Sequence, residues 1–378
     1  MNHRNTLRTL SPLQENLPDA KWLKTFRSRL LSWYEKHARS LPWRGTHDPY
    51  QIWVSEIMLQ QTTTAAVDGY FRRFVERFPN VQALAVADVA EVLRYWEGLG
   101  YYRRATLMHC AAQVIVSEHN GLFPNTFAAV LALPGIGRYT AGAILSIAQD
   151  QRLPILEANT IRLHARLLAY PDDPAKSEGN RLLWKMAELV LPEKKGYAAD
   201  GQIGLFNQAL MDLGSLVCLS KEPKCRDCPI VKLCQTAQAG LQHAIPKLNK
   251  QKNFEERIEA ALVVEKSGKY LMIRYPEGVR WAGLWDFPRS EVTSDMPLDG
   301  NLDFLKRIKT MSGCQLKIFE QIATIRHVVT RFKIALCVYC AKLNDRPSSA
   351  EYETCWVTKK EMSMLPLNTT GRKIAKLL

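Results

Sequence analysis

Nine cysteines occur in the chain, and four of them lie within one segment of 17 residues. The four are Cys218, Cys225, Cys228 and Cys234. Their spacing, C-x6-C-x2-C-x5-C, places four thiolate ligands on one compact loop, where they can enclose a cubane iron–sulfur cluster. Structural zinc usually takes two close pairs separated by a longer excursion. The spacing therefore predicts a [4Fe–4S] cluster on these cysteines and leaves zinc as the alternative.

A single glutamate, Glu56, lies within an apolar segment of helical character at residues 48–62. At the helical spacing of three and four, one face is shared by Ile52, Glu56, Leu59 and Gln60. Burial on this mainly apolar stripe raises the pKa of a carboxyl and keeps it protonated at neutral pH. A protonated carboxyl can donate to a purine ring nitrogen and make the base a better leaving group. The alternative is a glutamate at the rim of a buried helix.

A glycine-containing turn at residues 133–142 joins two predicted helices. Gly135 and Gly137 permit a positive φ and a close approach of another backbone. The N–H groups at the start of the second helix then point outward and can bind phosphate. The segment predicts a helix-hairpin-helix that holds a nucleic-acid backbone, with an ordinary turn as the alternative.

The elements around these residues change character along the chain. From about residue 20 to 240 apolar residues recur at helical spacing, with a start signal at Asp48-Pro49. Strands are predicted at 258–264, 270–273 and 332–339, with a helix at 302–312. The predicted organisation is a flexible arm (1–19), a mainly α domain (20–242) with the cysteine loop (218–234), a polar linker (243–256) and an α+β domain (257–378).

The chain is basic, with a net charge of +14 and a pI of about 9.3. This balance favours a polyanionic partner, of which nucleic acid is the commonest. No apolar run is long enough to span a bilayer, and the first residues lack the apolar core of a secretory signal. We therefore expect a cytoplasmic protein, associated with the nucleoid in a prokaryotic cell, with no membrane partner.

The run from Trp53 to Thr62, WVSEIMLQQT, resembles the catalytic helix of the adenine DNA glycosylase family, within the endonuclease III superfamily. The cysteine spacing and the hairpin resemble the same superfamily. The resemblance implies that Glu56 is the general acid acting on adenine N7. Members that also nick DNA place a lysine at position 139 as a Schiff-base nucleophile. This chain has Tyr139, which implies a monofunctional glycosylase whose phenol hydrogen-bonds near the reacting sugar.

A second carboxylate is implied after the hairpin helix. The family usually has Asp-Gly-Asn there, and this chain has Glu157-Ala158-Asn159. The resemblance implies that Glu157 stabilises the oxocarbenium ion or a covalent sugar intermediate. Asn159 matches the family residue that hydrogen-bonds near the reacting centre.

Residues that contact DNA are implied by the same resemblance. The target base must be flipped out of the duplex before it can be hydrolysed. Gln60 and Tyr101 match residues that insert at the lesion pair, and Leu99 lies beside Tyr101 on a glycine-hinged loop. Arg44 and Gln208 match positions at the adenine pocket. Core packing is the alternative for the aromatic loop.

The C-terminal domain resembles a Nudix fold at residues 283–288, GLWDFP. The following segment lacks the helix of several glutamates that would hold Mg²⁺. The resemblance therefore implies a domain that reads 8-oxoguanine on the opposite strand. The family loop His-x-Phe-Ser-His corresponds to residues 327–331, in which Thr330 keeps the hydroxyl of the serine, whereas Val329 and Arg331 depart from the pattern. The alternative is a domain that only stabilises the protein or docks.

These observations together predict a monomeric enzyme that hydrolyses the N-glycosidic bond of adenine opposite 8-oxoguanine or guanine in double-stranded DNA. A bifunctional pyrimidine glycosylase/lyase is the nearest alternative, and Tyr139 and the second domain argue against it. A DNA-damage binding protein is favoured by Glu157 and disfavoured by the retained Glu56. The missing acidic helix disfavours a Nudix pyrophosphatase.

Overall fold

A computed structural model describes residues 17–193, 202–247, 254–292, 298–345 and 348–378 of the chain. Most of the predicted arm, 1–16, and part of the predicted linker, 248–253, lie outside these ranges. The chain divides into two compact units. Unit 1 comprises Met1–Gln61 and His119–Lys250, and unit 2 comprises Thr62–Glu118 and Gln251–Leu378. The helical segment Thr62–Glu118 thus groups with the C-terminal part of the chain.

The helices begin where the sequence provides caps. In chain order, those of the described residues are α1 (Ala20–His37), α2 (Pro49–Leu59), α3 (Thr64–Arg77), α4 (Val81–Ala85), α5 (Val89–Tyr95), α6 (Arg103–Glu118), α7 (Phe127–Ala132), α8 (Arg138–Gln149), α9 (Ala158–Leu167), α10 (Ser177–Val190), α11 (Gln202–Leu216), α12 (Gln235–Gln238), α13 (Leu302–Ser312), α14 (Lys359–Met364) and α15 (Thr369–Ala375). The carboxylate of Asp48 accepts a hydrogen bond from the Tyr50 N–H, and Pro49 opens α2 as predicted. None of the described helices is long and apolar enough to cross a bilayer.

The core of unit 1 fixes α11, the helix that carries Gln208. Leu23, Phe26 and Leu30 recur on one face of α1 and are buried. The ring of Phe26 packs edge-on against Phe206 of α11, with ring centroids 6.0 Å apart. Complete burial of one such side chain contributes about 1.5–3 kcal/mol. Helices α8 and α9, which carry Tyr139 and Asn159, also pack against α11.

Unit 2 contains a seven-stranded sheet in the order β3-β2-β1-β6-β5, in which β4 pairs with β1 and β7 pairs with β2. The strands are β1 (Glu255–Lys266), β2 (Lys269–Arg274), β3 (Trp285–Asp286), β4 (Arg289–Glu291), β5 (Leu316–Val329), β6 (Phe332–Leu343) and β7 (Glu353–Val357). Strands β1 and β6 are parallel, and Ala261 lies opposite Val338. Strands β5 and β6 are antiparallel and form a hairpin that closes at the Val329–Phe332 pair.

Both faces of this sheet are covered, because side chains alternate along β1. Ala261 and Val263 belong to the core that includes Ile374 of α15. Ala260 and Leu262 belong to the opposite core, which includes Phe304 of α13. The result is an α+β domain with helices on both faces.

The linker is shorter than predicted. Strand β1 already begins at Glu255, inside the predicted linker 243–256. Ile245 is buried, and its carbonyl accepts a hydrogen bond of 2.8 Å from Arg166 Nε. One apolar residue in a polar segment has no period, so its burial was not visible in the sequence.

Candidate functional site

Helix α2 buries Glu56 more completely than the sequence predicted. Tyr50 and every residue from Ile52 to Met58 are buried, so the helix has no solvent-facing side there. The predicted single apolar stripe is therefore wrong: a short helix that is apolar on nearly all sides belongs in a core. The Glu56 side chain lies in this core, with 5% of the residue exposed. Burial raises the pKa of the Glu56 carboxyl, and the nearby Glu157 raises it further.

The hairpin before α8 brings Tyr139 to Glu56. The backbone turns at Gly135 with φ of +78°, as predicted. Gly137 has instead an extended backbone, φ −100°, and is the N-cap of α8, so it does not use the positive φ that a glycine permits. Two residues later the Tyr139 hydroxyl donates a hydrogen bond of 2.6 Å to Glu56 Oε2. Burial, followed by the nearby Glu56, raises the pKa of this phenol well above its ordinary value. Tyr139 is therefore a protonated donor to the carboxyl.

Glu157 is the N-cap of α9. Its Oε1 accepts from the Thr160 N–H at 3.0 Å, and its Oε2 accepts from the Asn159 N–H at 2.9 Å. The Asn159 side-chain amide donates to the same Oε2 at 3.1 Å. Burial raises the pKa of Glu157, while these bonds lower it. The net effect is a raised pKa, because burial outweighs the hydrogen bonds. The helix N-terminus opposes part of this shift by stabilising the carboxylate.

An arginine network lies beside these two carboxyls. Arg44 donates to the Tyr34 hydroxyl at 2.9 Å and to Asp212 Oδ1 at 3.1 Å. Tyr34 in turn donates to Gln208 Oε1 at 2.9 Å. Arg44 is also close enough to lower the pKa of Glu56. The structure therefore brings together Arg44, Glu56, Tyr139, Glu157, Asn159 and Gln208.

Two members of this network were missed in the sequence. Asp212 is fully buried and also pairs with Arg39 at 2.6 Å. It lies four residues after Gln208 on α11, so helical spacing could have placed it on the same face. Tyr34 joins Arg44 to Gln208, which no local pattern predicts.

The four cysteines of the loop line one cavity, together with apolar side chains that include Leu163, Val217 and Ile230. Arg166 Nη1 lies 3.3 Å from Cys218 Sγ, and Cys234 Sγ donates to the Arg166 carbonyl at 3.3 Å. Among the described residues no group of three or more His, Cys, Asp or Glu side chains is arranged around one metal-ion position. Four thiol donors around a shared, mainly apolar cavity suit the soft ligand set of an iron–sulfur cluster.

Arg162 lies between the cysteine loop and the start of α9. Its Nε donates to the Cys218 carbonyl at 2.7 Å. Its Nη2 donates to Asn159 Oδ1 at 2.9 Å and to the Gly214 carbonyl at 2.6 Å. One side chain thus fixes the backbone of the first loop cysteine and the side chain of Asn159.

The predicted DNA-probing residues differ in exposure. Tyr101 is 51% exposed, whereas Leu99 on the same loop is 7% exposed and buried. Gln60 is the C-cap of α2, and the next residue, Gln61, has a φ of 58°. Tyr101 and Thr330 also have positive φ, at 47° and 53°. Such backbone strain in non-glycine residues persists only where the surrounding structure holds it, and it is frequent at ligand sites.

Comparison with known proteins matches both halves of the chain. Residues 54–188 match the HhH-GPD superfamily of base excision DNA repair proteins, and residues 259–377 match the NUDIX domain. The adenine DNA glycosylase of Mus musculus is 32% identical, over 95% of this chain and 79% of its own length. That of Buchnera aphidicola (subsp. Acyrthosiphon pisum) is 35% identical, over 70% of this chain and 74% of its own.

A solved structure resembles part of the chain. A thermostable thymine-DNA glycosylase superposes with a TM-score of 0.50 and 28% identity, over 58% of this chain and 98% of its own. These matches confirm the predicted fold class, a helix-hairpin-helix glycosylase domain followed by a Nudix-like domain.

Proposed function

Because the chain belongs to the adenine DNA glycosylase family, we propose that it hydrolyses the N-glycosidic bond of adenine mispaired with 8-oxoguanine or guanine in duplex DNA. One observation carries the proposal: a buried carboxyl, Glu56, accepts a 2.6 Å hydrogen bond from the Tyr139 phenol. The site thus contains a general acid whose proton is held by burial.

Glu56 is the group that protonates the base. Its raised pKa keeps the proton on the carboxyl until adenine enters, and the proton then passes to N7. Tyr139 donates to one carboxyl oxygen, so the other oxygen carries the acidic proton. Protonation withdraws electrons from the glycosidic bond and makes adenine a neutral leaving group.

Glu157 and Asn159 act on the sugar. As the bond to adenine breaks, positive charge develops on the deoxyribose, and a carboxylate stabilises it. The two α9 N–H groups that donate to Glu157 hold its carboxyl group in place and favour its ionised form. Water then adds to the sugar and leaves an abasic site.

Arg44 and Gln208 recognise the flipped base. The Gln208 carbonyl oxygen already accepts from Tyr34, and its amide NH₂ can donate to a ring nitrogen of adenine. The buried Asp212 carboxylate holds Arg44 in place. We assign adenine recognition to this pair.

The absence of a lysine at position 139 supports a monofunctional enzyme. Tyr139 cannot form a Schiff base with the sugar. We expect borohydride to trap no covalent complex on adenine-containing duplexes. Efficient trapping would reverse this assignment and favour the bifunctional alternative.

We further propose that Cys218, Cys225, Cys228 and Cys234 hold a [4Fe–4S] cluster. When bound, the cluster cross-links the loop that follows α11. The expected result for purified protein is four irons per chain by metal analysis and a broad visible absorbance. One zinc per chain instead would contradict the cluster.

DNA contacts are assigned to both units. Backbone N–H groups at Gly135 and Gly137 are placed at the start of α8, where a phosphate is favoured. Gln60, Leu99 and Tyr101 act at the lesion pair, although Leu99 must first become exposed. Thr330, at the tip of the β5–β6 hairpin, reads 8-oxoguanine through its hydroxyl.

The remaining assignments follow from this role. We propose a monomer in solution that acts on chromosomal DNA in the cytoplasm. The chain carries a net charge of +14, which supports binding to a polyanion along its length.

Single-turnover adenine release tests the function directly. Duplexes with adenine opposite 8-oxoguanine, guanine or thymine are compared, with Glu56→Gln and the exposed-site control Glu35→Gln. The expected result is release from the first two duplexes, abolished only by Glu56→Gln. Tight binding to the 8-oxoguanine duplex without release would replace the enzyme by the damage-binding alternative.

A further inference from the structure

The loop that carries Tyr101 is held by the last helix of the chain. Arg372 of α15 donates from Nε and Nη2 to the two carboxylate oxygens of Glu97, at 2.6 and 2.8 Å. The two side chains are only 23% and 17% exposed. Arg372 also donates to the carbonyls of Leu365 at 2.8 Å and Met362 at 3.2 Å. Two carbonyls outside the loop therefore hold the guanidinium that binds Glu97.

A second contact supports the same loop. The Tyr102 hydroxyl donates to the Leu367 carbonyl at 3.4 Å and accepts from the Gly98 N–H at 3.4 Å. Gly98 has φ of +100°, and a Cβ there would collide with the Tyr70 hydroxyl. Residues 97–102 are thus fixed between α3 and the segment 365–372 in one conformation.

Tyr101 depends on this conformation. Its backbone is in the left-handed region, and its ring is 51% exposed. The Arg104 guanidinium lies 5.8 Å from the Tyr101 ring centroid and donates to the Gly100 carbonyl at 3.1 Å. A non-glycine residue in this region relaxes unless its neighbours hold it.

We propose that Arg372 is a positioning residue for base extrusion, which holds the Tyr101 loop through its ion pair with Glu97. The inference rests on the proposed function, in which Tyr101 inserts at the lesion pair. A bidentate, partly buried pair is stronger and less screened by salt than a surface pair. Loss of the pair frees the loop, and insertion of Tyr101 becomes slower, while the chemistry at Glu56 is untouched.

The first experiment removes the positive charge of Arg372 in the full-length protein. Arg372→Met is expected to slow single-turnover adenine release about tenfold, the order expected for the loss of a charge-assisted bidentate pair. Arg77→Met is the matched control, because Arg77 makes a bidentate pair with Glu91 at 2.7 Å on the same unit, outside the Tyr101 loop. The control is expected to keep the wild-type rate. An unchanged rate in Arg372→Met overturns the proposal.

A double-mutant cycle separates positioning from general stability. In a Tyr101→Ala background, Arg372→Met is expected to cause no further loss, because both changes remove the same function. Additive losses overturn the proposal. If Arg372→Met melts early, the exchanged pair Glu97→Arg with Arg372→Glu replaces it. A rate above that of Glu97→Arg alone is then expected, and a rate no higher overturns the proposal.

These outcomes are distinguishable from a failure of the proposed function. All rates are compared with the wild-type protein on the same duplex. No adenine release by the wild type contradicts the function itself. Release by the wild type with additive losses contradicts only the role of Arg372.

Discussion

The Glu56→Gln variant is expected to be more stable than the wild type, by an amount that grows as pH rises. The same change is expected to abolish adenine release. The Glu56 pKa is raised by burial above the ordinary value of 4.5. The folded state therefore binds this proton more tightly than the unfolded state. Folding stability then falls as pH rises from about 4.5 to the folded pKa, and stays at the lower level above it. Glu56→Gln removes this loss and keeps an oxygen that can accept from Tyr139.

The size of the effect follows from the pKa. Each unit by which burial raises the pKa costs about 1.4 kcal/mol of stability at pH values above it. In a domain of 150–250 residues, 1 kcal/mol shifts the melting temperature by roughly 2–4 °C. For every unit by which burial raises the Glu56 pKa, the variant is therefore expected to melt about 3–6 °C higher than the wild type at high pH. Near pH 4.5 the two proteins are expected to melt together.

Thermal melts followed by circular dichroism between pH 5 and pH 8.5 measure this difference. Glu35→Gln on the exposed face of α1 is the matched control, and its difference from the wild type is expected to be flat. A Glu56→Gln difference that is constant with pH, or that shrinks as pH rises, would refute a raised pKa and with it the assignment of the general acid.

Three further predictions concern neighbouring groups. Tyr139→Phe removes a donor that lowers the Glu56 pKa, so the alkaline limit of single-turnover adenine release should move to higher pH; an unmoved or lowered limit contradicts the contact. Asp212→Asn leaves two arginines without their buried partner and should lower the unfolding free energy by about 3 kcal/mol, measured by urea titration; Asp68→Asn at an exposed pair should change it little, and equal effects would contradict the network. Thr330→Gly relieves a strained backbone worth about 1 kcal/mol yet removes the hydroxyl, so the melting temperature should rise while the preference for 8-oxoguanine over guanine falls; an unchanged preference would remove that role.

Local signals predicted much of the fold. The helix at 302–312 was predicted with the bounds that α13 has, because Asn301 caps it and Phe304 and Ile308 repeat at helical spacing. The strands β1, β2 and β6 were predicted from alternation and turn residues, although each is longer than predicted. Caps and periods are short-range properties, so a single sequence carries them.

Contacts between residues that are distant along the chain could not be predicted from the sequence. Arg44 and Asp212 are 168 residues apart, and only tertiary packing brings them together. Leu99 and Tyr101 share a loop, and without a repeating period nothing separates the buried side chain from the exposed one. The grouping of residues 62–118 with the C-terminal part likewise depends on long-range contacts. Glu157 was predicted for the sugar, and its second task as the cap of α9 was not.

The edge strand β5 leaves one border of the sheet open to pairing with another molecule. It runs for 14 residues at the border of the sheet, with a largely exposed face and Phe319 half-exposed. Such an edge can pair with a strand of another molecule and start aggregation. Two irregularities, between Ile318 and Gln321 and between Gln321 and Ala323, insert extra residues on β5 and break its straight row of hydrogen-bonding groups. Charges at Lys317 and Arg326 also oppose pairing with another strand. A deletion that straightens β5 is therefore expected to promote self-association.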